Sequence, residues 1–163
     1  AAASSSQNQS KYEANVASVA GKMDNRVIAA YQQLGFKLVV DPSVNYSGYF
    51  DARSRSITMK QIDDSVYHEL GHFLAFIAGN ADKTASFQSI FAAEKANVTA
   101  FNKAYVTQNA SEYFAESVKD YILNNASLKS SRPQTYAAVQ NALNQITDAQ
   151  IAKIQKIYGA FWN

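Results

Sequence analysis

The chain reads as a single α+β domain, and three observations predict it. Apolar residues recur at helical spacing over residues 16–34, short alternating runs follow as far as Lys60, and from Asp63 onward the pattern stays helical. At 163 residues, 47% of them hydrophobic, the chain is long enough to bury one core of its own. The absence of cysteine excludes disulfides, thiolate metal sites and cysteine nucleophiles. A net charge of only +2, without a basic stripe, argues against nucleic acid as a partner. No apolar run approaches the roughly 20 residues needed to span a bilayer, so no membrane insertion is expected. The expected state is a monomer.

The elements follow in order. Residues 1–10 are small and polar, and read as a disordered tail or an expression remnant, of the kind that follows a removed secretion signal. That start favours a secreted, bacterial protein, while the lack of thiols fits a reducing cytosol as well as a secreted bacterial protein. Val16, Val19, Ala20, Met23, Val27, Ile28, Tyr31 and Leu34 share one helical face, and Gly35 stands at the stop position. Residues 36–40 form a strand, Asp41-Pro42-Ser43 a turn, and residues 46–53 and 56–60 two further strands with a hairpin near Arg53-Ser54-Arg55. Helices are expected at 66–78, 85–101, 111–124, 133–146 and 148–161, several behind acidic or hydroxyl residues suited to capping. The layout is therefore an N-terminal helix, a small, mostly antiparallel sheet and a mainly helical C-terminal part.

The chemistry concentrates at His68-Glu69-Leu70-Gly71-His72, inside a predicted helix. Residues four apart share a helical face, so two imidazoles can reach one ion at about 2.0 to 2.1 Å. Glu69, one residue further round, can reach a water at that ion and act as general base, the HExxH arrangement of zinc peptidases. Gly71 costs about 1 kcal/mol in a helix relative to Ala, which implies a close approach by another element.

A catalytic zinc needs three protein ligands. Both histidines of the chain are in the motif and there is no cysteine, so a self-contained site takes its third ligand from Asp or Glu. Asp82 and Asp148 suit turns or caps, Glu94 stands alone on a helix, and Asp120 suits a surface position. Glu112 and Glu116, four apart, share one face of a helix with bulky apolar flanks. One of the two can bind the metal while the other accepts the free N–H of a ligand histidine.

These residues, with Tyr105 and the run Glu112-Tyr113-Phe114-Ala115-Glu116, resemble the catalytic domain of anthrax lethal factor and the clostridial Pro-Pro endopeptidases. In that family a tyrosine lies seven residues before the zinc-binding glutamate, the spacing of Tyr105 and Glu112. Arg132-Pro133-Gln134-Thr135-Tyr136 also resembles a Pro-Gln-Thr-Tyr stretch of the Pro-Pro enzymes, and the likeness covers residues 46–143. The resemblance implies a zincin-like catalytic domain over residues 11–163, with His68, His72 and Glu112 on Zn2+, Glu69 as base, Tyr105 at the oxyanion or leaving group, and Glu116 behind a ligand histidine. The long Gly- and Trp-containing segment that helps the Pro-Pro enzymes to read proline has no counterpart, since only residues 54–67 separate the last strands from the motif. The resemblance therefore does not carry Pro-Pro specificity with it.

The expected activity is a zinc-dependent endopeptidase acting on an extended protein or peptide substrate. Ser56-Ile57-Thr58-Met59-Lys60 is expected to be the edge strand beside the motif helix that pairs with that substrate. A second reading keeps the fold and the zinc but not turnover, as a binding or toxin-accessory module. Intact Glu69 and Tyr105 argue against it.

Overall fold

The computed structural model describes residues 10–162, so nearly all of the expected tail at 1–10 lies outside the described residues. The chain opens with strand β1 (Tyr12–Ala14), followed by helices α1 (Val16–Val19) and α2 (Asn25–Gln33). Strands β2 (Lys37–Val40), β3 (Gly48–Asp51) and β4 (Ser56–Met59) complete the sheet. The motif helix α3 (Ser65–Ile77) follows, then α4 (Ala85–Glu94), α5 (Lys103–Val106), α6 (Ala110–Leu123), α7 (Asn125–Ser131), α8 (Pro133–Asn144) and α9 (Asp148–Trp162). Short 3-10 turns occupy Ala81–Lys83 and Lys95–Asn97. This is the mixed α+β layout expected from the sequence.

The single helix expected over residues 16–34 is two helices. Gly21 and the turn at Met23 interrupt the first, and Asp24 starts the second as a new N-cap, its carboxylate accepting from the Arg26 N–H at 2.9 Å. Both pieces still present one apolar face, because Val16, Ala20, Met23, Val27 and Tyr31 are buried. The helix expected over 85–101 stops at Glu94. Beyond it the Asn97 amide donates to the Ser131 carbonyl at 3.0 Å, and Val98 turns into the core with extended backbone.

The strand order is β1-β2-β4-β3, with antiparallel pairs at both ends and β2 parallel to β4 in the middle. β4 is therefore an interior strand, and the edge role expected for Ser56-Ile57-Thr58-Met59-Lys60 is overturned. Its main-chain groups are spent on both sides: the carbonyls of Arg55 and Met59 accept from Lys37 and Asp41, while the Lys60 N–H donates to Ser47. Among the described residues β3 forms the edge on the side of α3. The Ser47–Lys60 bond and the register Tyr49↔Thr58 make 47, 49 and 51 the bonded positions towards β4. Gly48 and Phe50 therefore turn their N–H and C=O groups to the free edge.

The core lies between sheet and helices, where Tyr31, Phe36 and Phe73 meet edge to face or tilted within 5.3 Å of one another. The C-terminal helix fastens the β3–β4 turn: Trp162 Nε1 donates to the Ala52 carbonyl at 2.9 Å, and its ring meets Phe36 at 5.6 Å. Arg53 and Arg55 stack on Phe161 and Trp162, at 5.0 and 5.2 Å, so the basic rim of the hairpin is committed to holding the C-terminal helix.

Candidate active site

α3 carries the motif on a helix buried on nearly every side, with Val66, Leu70, Phe73, Leu74 and Ile77 facing the core. α6 crosses it closely enough that a Cβ at Gly71 would lie 2.7 Å from the Ala115 carbonyl oxygen and 2.8 Å from its Cα. That contact is the close approach expected of Gly71. Because Ala115 sits beside Glu116, it brings the acidic face of α6 onto the histidines. The start of α6 is set by Asn109, whose side chain accepts from the Glu112 N–H at 2.8 Å.

Glu112 bridges the two imidazoles, with His68 Nε2 at 2.9 Å and His72 Nε2 at 3.2 Å. Glu116 accepts from His68 Nδ1 at 2.8 Å, which fixes the ring and turns Nε2 towards Glu112. Burial would raise Glu112, but the bonds from His68 and His72 outweigh it and hold the carboxyl below its usual range. Glu116 is likewise lowered, its bond from His68 overcoming burial. Burial pulls His68 down, yet its two carboxylate partners hold it up at about 9. An imidazole lone pair facing an ionised carboxylate at this range needs a proton or a cation between them.

Zinc fits the same place. The ligand atoms of His68, His72 and Glu112 lie within 4.8 Å of one another, the group among the described residues that is able to hold a metal ion. The two imidazole Nε2 atoms face different oxygens of the Glu112 carboxylate, at 2.9 and 3.2 Å, so two nitrogens and a carboxylate present donors of the type zinc takes to one place. Two imidazoles and one carboxylate also leave a fourth position open, as a catalytic zinc requires.

Glu69 is buried between α3 and β3, and burial raises its carboxyl against the pull of both histidines. Tyr105, on α5, is half exposed, and its ring lies 6.4 Å from that of His68. Burial and the charges of Glu112 and Glu69 raise its phenol, keeping it protonated. A cavity of ≈ 360 Å³ opens beside these groups, lined among others by Tyr46, Ser47, Ser65, Asn102 and Lys119. The structure thus brings His68, Glu69, His72, Tyr105, Glu112 and Glu116 together. It leaves Ser56, Ile57, Thr58, Met59 and Lys60 one strand away. Sequence reasoning did not single out Gly48, whose position inside the strand expected over residues 46–53 is itself the signal of a close approach.

The competing carboxylates are engaged elsewhere. Glu94, buried, accepts from the N–H groups of Gln134 and Thr135 and from the Thr135 hydroxyl at 2.7 to 3.1 Å, capping α8. The Thr135 hydroxyl also meets Tyr113 Oη at 2.6 Å, which ties α8 to α6 and gives the Pro133-Gln134-Thr135 run a structural task. Asp120, expected on the surface, is paired with the buried Arg132 at 2.6 Å.

A family model described as "Anthrax toxin lethal factor, N- and C-terminal domain" matches residues 22–142, well over half of the chain. A curated relative from Clostridioides difficile (strain 630), "Pro-Pro endopeptidase", is 41% identical over 78 residues. That match spans 45% of this chain and 34% of the relative. With its histidines, glutamates and tyrosine gathered in one cleft and the family model running through all of them, the chain belongs to the anthrax toxin lethal factor family.

Proposed function

We propose that this domain is a zinc-dependent endopeptidase that hydrolyses a peptide bond in an extended protein segment. The observation that carries the reading is the convergence of His68, His72 and Glu112 on one point, with the buried Glu69 beside them. Zinc bound to these donors supplies Lewis-acid polarisation of the scissile carbonyl and makes water acidic enough to attack near neutral pH. Glu69, its carboxyl raised by burial, takes the proton from the attacking water as the new C–O bond forms. It then delivers that proton to the nitrogen as the C–N bond breaks. Tyr105 donates its phenolic hydrogen to the developing oxyanion. Glu116 keeps His68 in the tautomer whose Nε2 lone pair faces the site.

The substrate lies along β3, whose main-chain groups at Gly48 and Phe50 face away from β4 and offer an edge for β-pairing. Tyr46, exposed, lines the rim of that cleft, and Tyr49 meets it edge to face at 6.0 Å. Residues 11–163 act as the catalytic domain. A bacterial, exported setting agrees with a toxin-described family and a clostridial relative. No described helix is long and apolar enough to cross a membrane.

A peptide-library digest with the zinc-loaded protein and with Glu69→Ala tests the reading. The variant is expected to keep its zinc and lose cleavage. Equal cleavage by both proteins refutes Glu69 as base, and no cleavage by the zinc-loaded parent favours a binding module.

A further inference from the structure

β3 alternates as a strand must, with Tyr49 standing outward, 56% exposed, while Gly48 and Phe50 face α3. Phe50 fills its place on that inner face, its ring 6.2 Å from Phe73 and 6.4 Å from His72. The matching place at Gly48 is filled by a residue of another element. A Cβ built at Gly48 would lie 2.8 Å from Glu69 Cγ, 3.1 Å from Oε2 and 3.2 Å from Cδ. The backbone gives no separate reason for glycine, because Gly48 is not among the positive-φ residues. At the head of β3 glycine also carries an entropic cost and packs nothing of its own. What glycine supplies at this position is room for the stem of Glu69.

We propose that Gly48 is a positioning residue for the general base: its bare face is the slot that holds the Glu69 side chain against the edge strand and sets where its oxygens point. The inference rests on the reading of Glu69 as base. Glu69 is 7% exposed, and the room left to it is the cavity that it and Gly48 both line, so a side chain pushed off the slot moves into the space beside the metal-binding group. With an alanine at 48 it must retreat by about 0.6 Å to regain ordinary contact. Because the main chain at 48 is unchanged by that substitution, the edge offered to a substrate remains.

A double-mutant cycle of Gly48→Ala with Glu69→Ala tests the slot without relying on turnover. Thermal melts are recorded with zinc and with chelator, and zinc affinity is measured by competition. With Glu69 present, Gly48→Ala is expected to lower Tm by roughly 5 °C, the usual consequence of overpacking. In the Glu69→Ala background the obstacle is gone, and the same substitution is expected to raise Tm, as Ala for Gly does in an unobstructed strand. On a cleaved peptide, Gly48→Ala is expected to reduce kcat on the order of 100-fold with KM and zinc affinity little changed. A Tm change equal in both backgrounds, or a rise with Glu69 present, overturns the proposal. So does a coupled cycle with kcat intact, which leaves the slot without a catalytic consequence. A parent protein that cleaves nothing overturns the role of the base itself, and that result is read from the parent alone.

Discussion

Gly71→Ala tests the joint on which the whole site hangs. A methyl at 71 would meet the Ala115 carbonyl oxygen at 2.7 Å, its Cα at 2.8 Å and its carbonyl carbon at 3.1 Å. All three are main-chain atoms, so no rotamer change relieves the contact. Helix α6 must move away from α3 by about 0.7 Å or more before ordinary packing distances return. The residues flanking Ala115 on α6 are the ones that touch the histidines, and the bonds at risk are His68–Glu112 at 2.9 Å and His68–Glu116 at 2.8 Å. Metal sites tolerate errors of about 0.2 Å in ligand distance, well below this displacement.

Two energies oppose each other at that position. Overpacking costs about 1 to 3 kcal/mol, and replacing a mid-helix glycine by alanine returns about 1 kcal/mol. The net expectation is a loss of up to about 2 kcal/mol, or as much as roughly 8 °C in Tm for a domain of this size. Disturbing the carboxylates behind and beside the ligand histidines is expected to weaken zinc about 10- to 100-fold. Thermal melts in chelator measure the first number and competition with a zinc indicator the second. A variant that melts higher than the parent and binds zinc equally well would behave as an unobstructed helix, and α6 would then not be held by the contact at Gly71.

Glu112→Gln keeps the shape and removes the charge, so zinc affinity is expected to fall by at least about 100-fold in the indicator titration, and an unchanged affinity would place the third ligand elsewhere. Glu94→Ala strips the N-terminus of α8 of its cap and leaves the Thr135 N–H and hydroxyl with one partner fewer. A loss of about 1 to 3 kcal/mol in the melt with zinc affinity unchanged is expected, and a fall in zinc affinity comparable to that of Glu112→Gln would count against a purely structural role. Without metal, stability is expected to depend on pH through His68, held up at about 9 against an ordinary 6.5. A raised pKa of this kind contributes stability that is fully present below 6.5 and is lost as pH rises through about 9. Glu112, held low, contributes stability that is present above its ordinary 4.5 and lost as pH falls through its folded value. Tm in chelator should therefore decline from pH 6.5 towards 9 and flatten when saturating zinc replaces the His68 proton. A flat profile in chelator would remove the buried imidazolium from the account.

What was legible in the sequence follows from how local each signal is. The motif helix, the α6 carboxylate pair and the close approach at Gly71 are written within a turn or two of chain, and each stands where it was expected. Strand order is not local. Residues 56–60 and 48–51 are equally short and equally alternating, and only the parallel pairing of β4 with the distant β2 decides which of them is the edge. The break between α1 and α2 was hidden because both pieces keep their apolar residues in phase with a single helix. β1 has three residues, too few to show alternation, and owes its existence to its partner Val39 and its neighbours. Gly48 carried a local signal, a glycine inside a strand, but the residue it makes room for lies in another element.

The identity of the third ligand shows how such non-local commitments settle a question left open by spacing. Glu112 and Glu116 are interchangeable as a pair four apart on a helix, and Glu94 and Asp120 offer the same carboxylate chemistry. Each of the others is bound by a group that would lose its partner if the carboxylate turned to a metal. Glu94 is held by two main-chain N–H groups and a hydroxyl, and Asp120 by a buried guanidinium. Leaving those donors unsatisfied costs about 1 to 3 kcal/mol apiece. Glu116 faces Nδ1 of His68, the nitrogen on the far side of the ring from the other ligand atoms. Glu112 alone among them lies against Nε2 of both histidines. Of these carboxylates it is the one that can reach the metal while every other partnership in the neighbourhood stays intact.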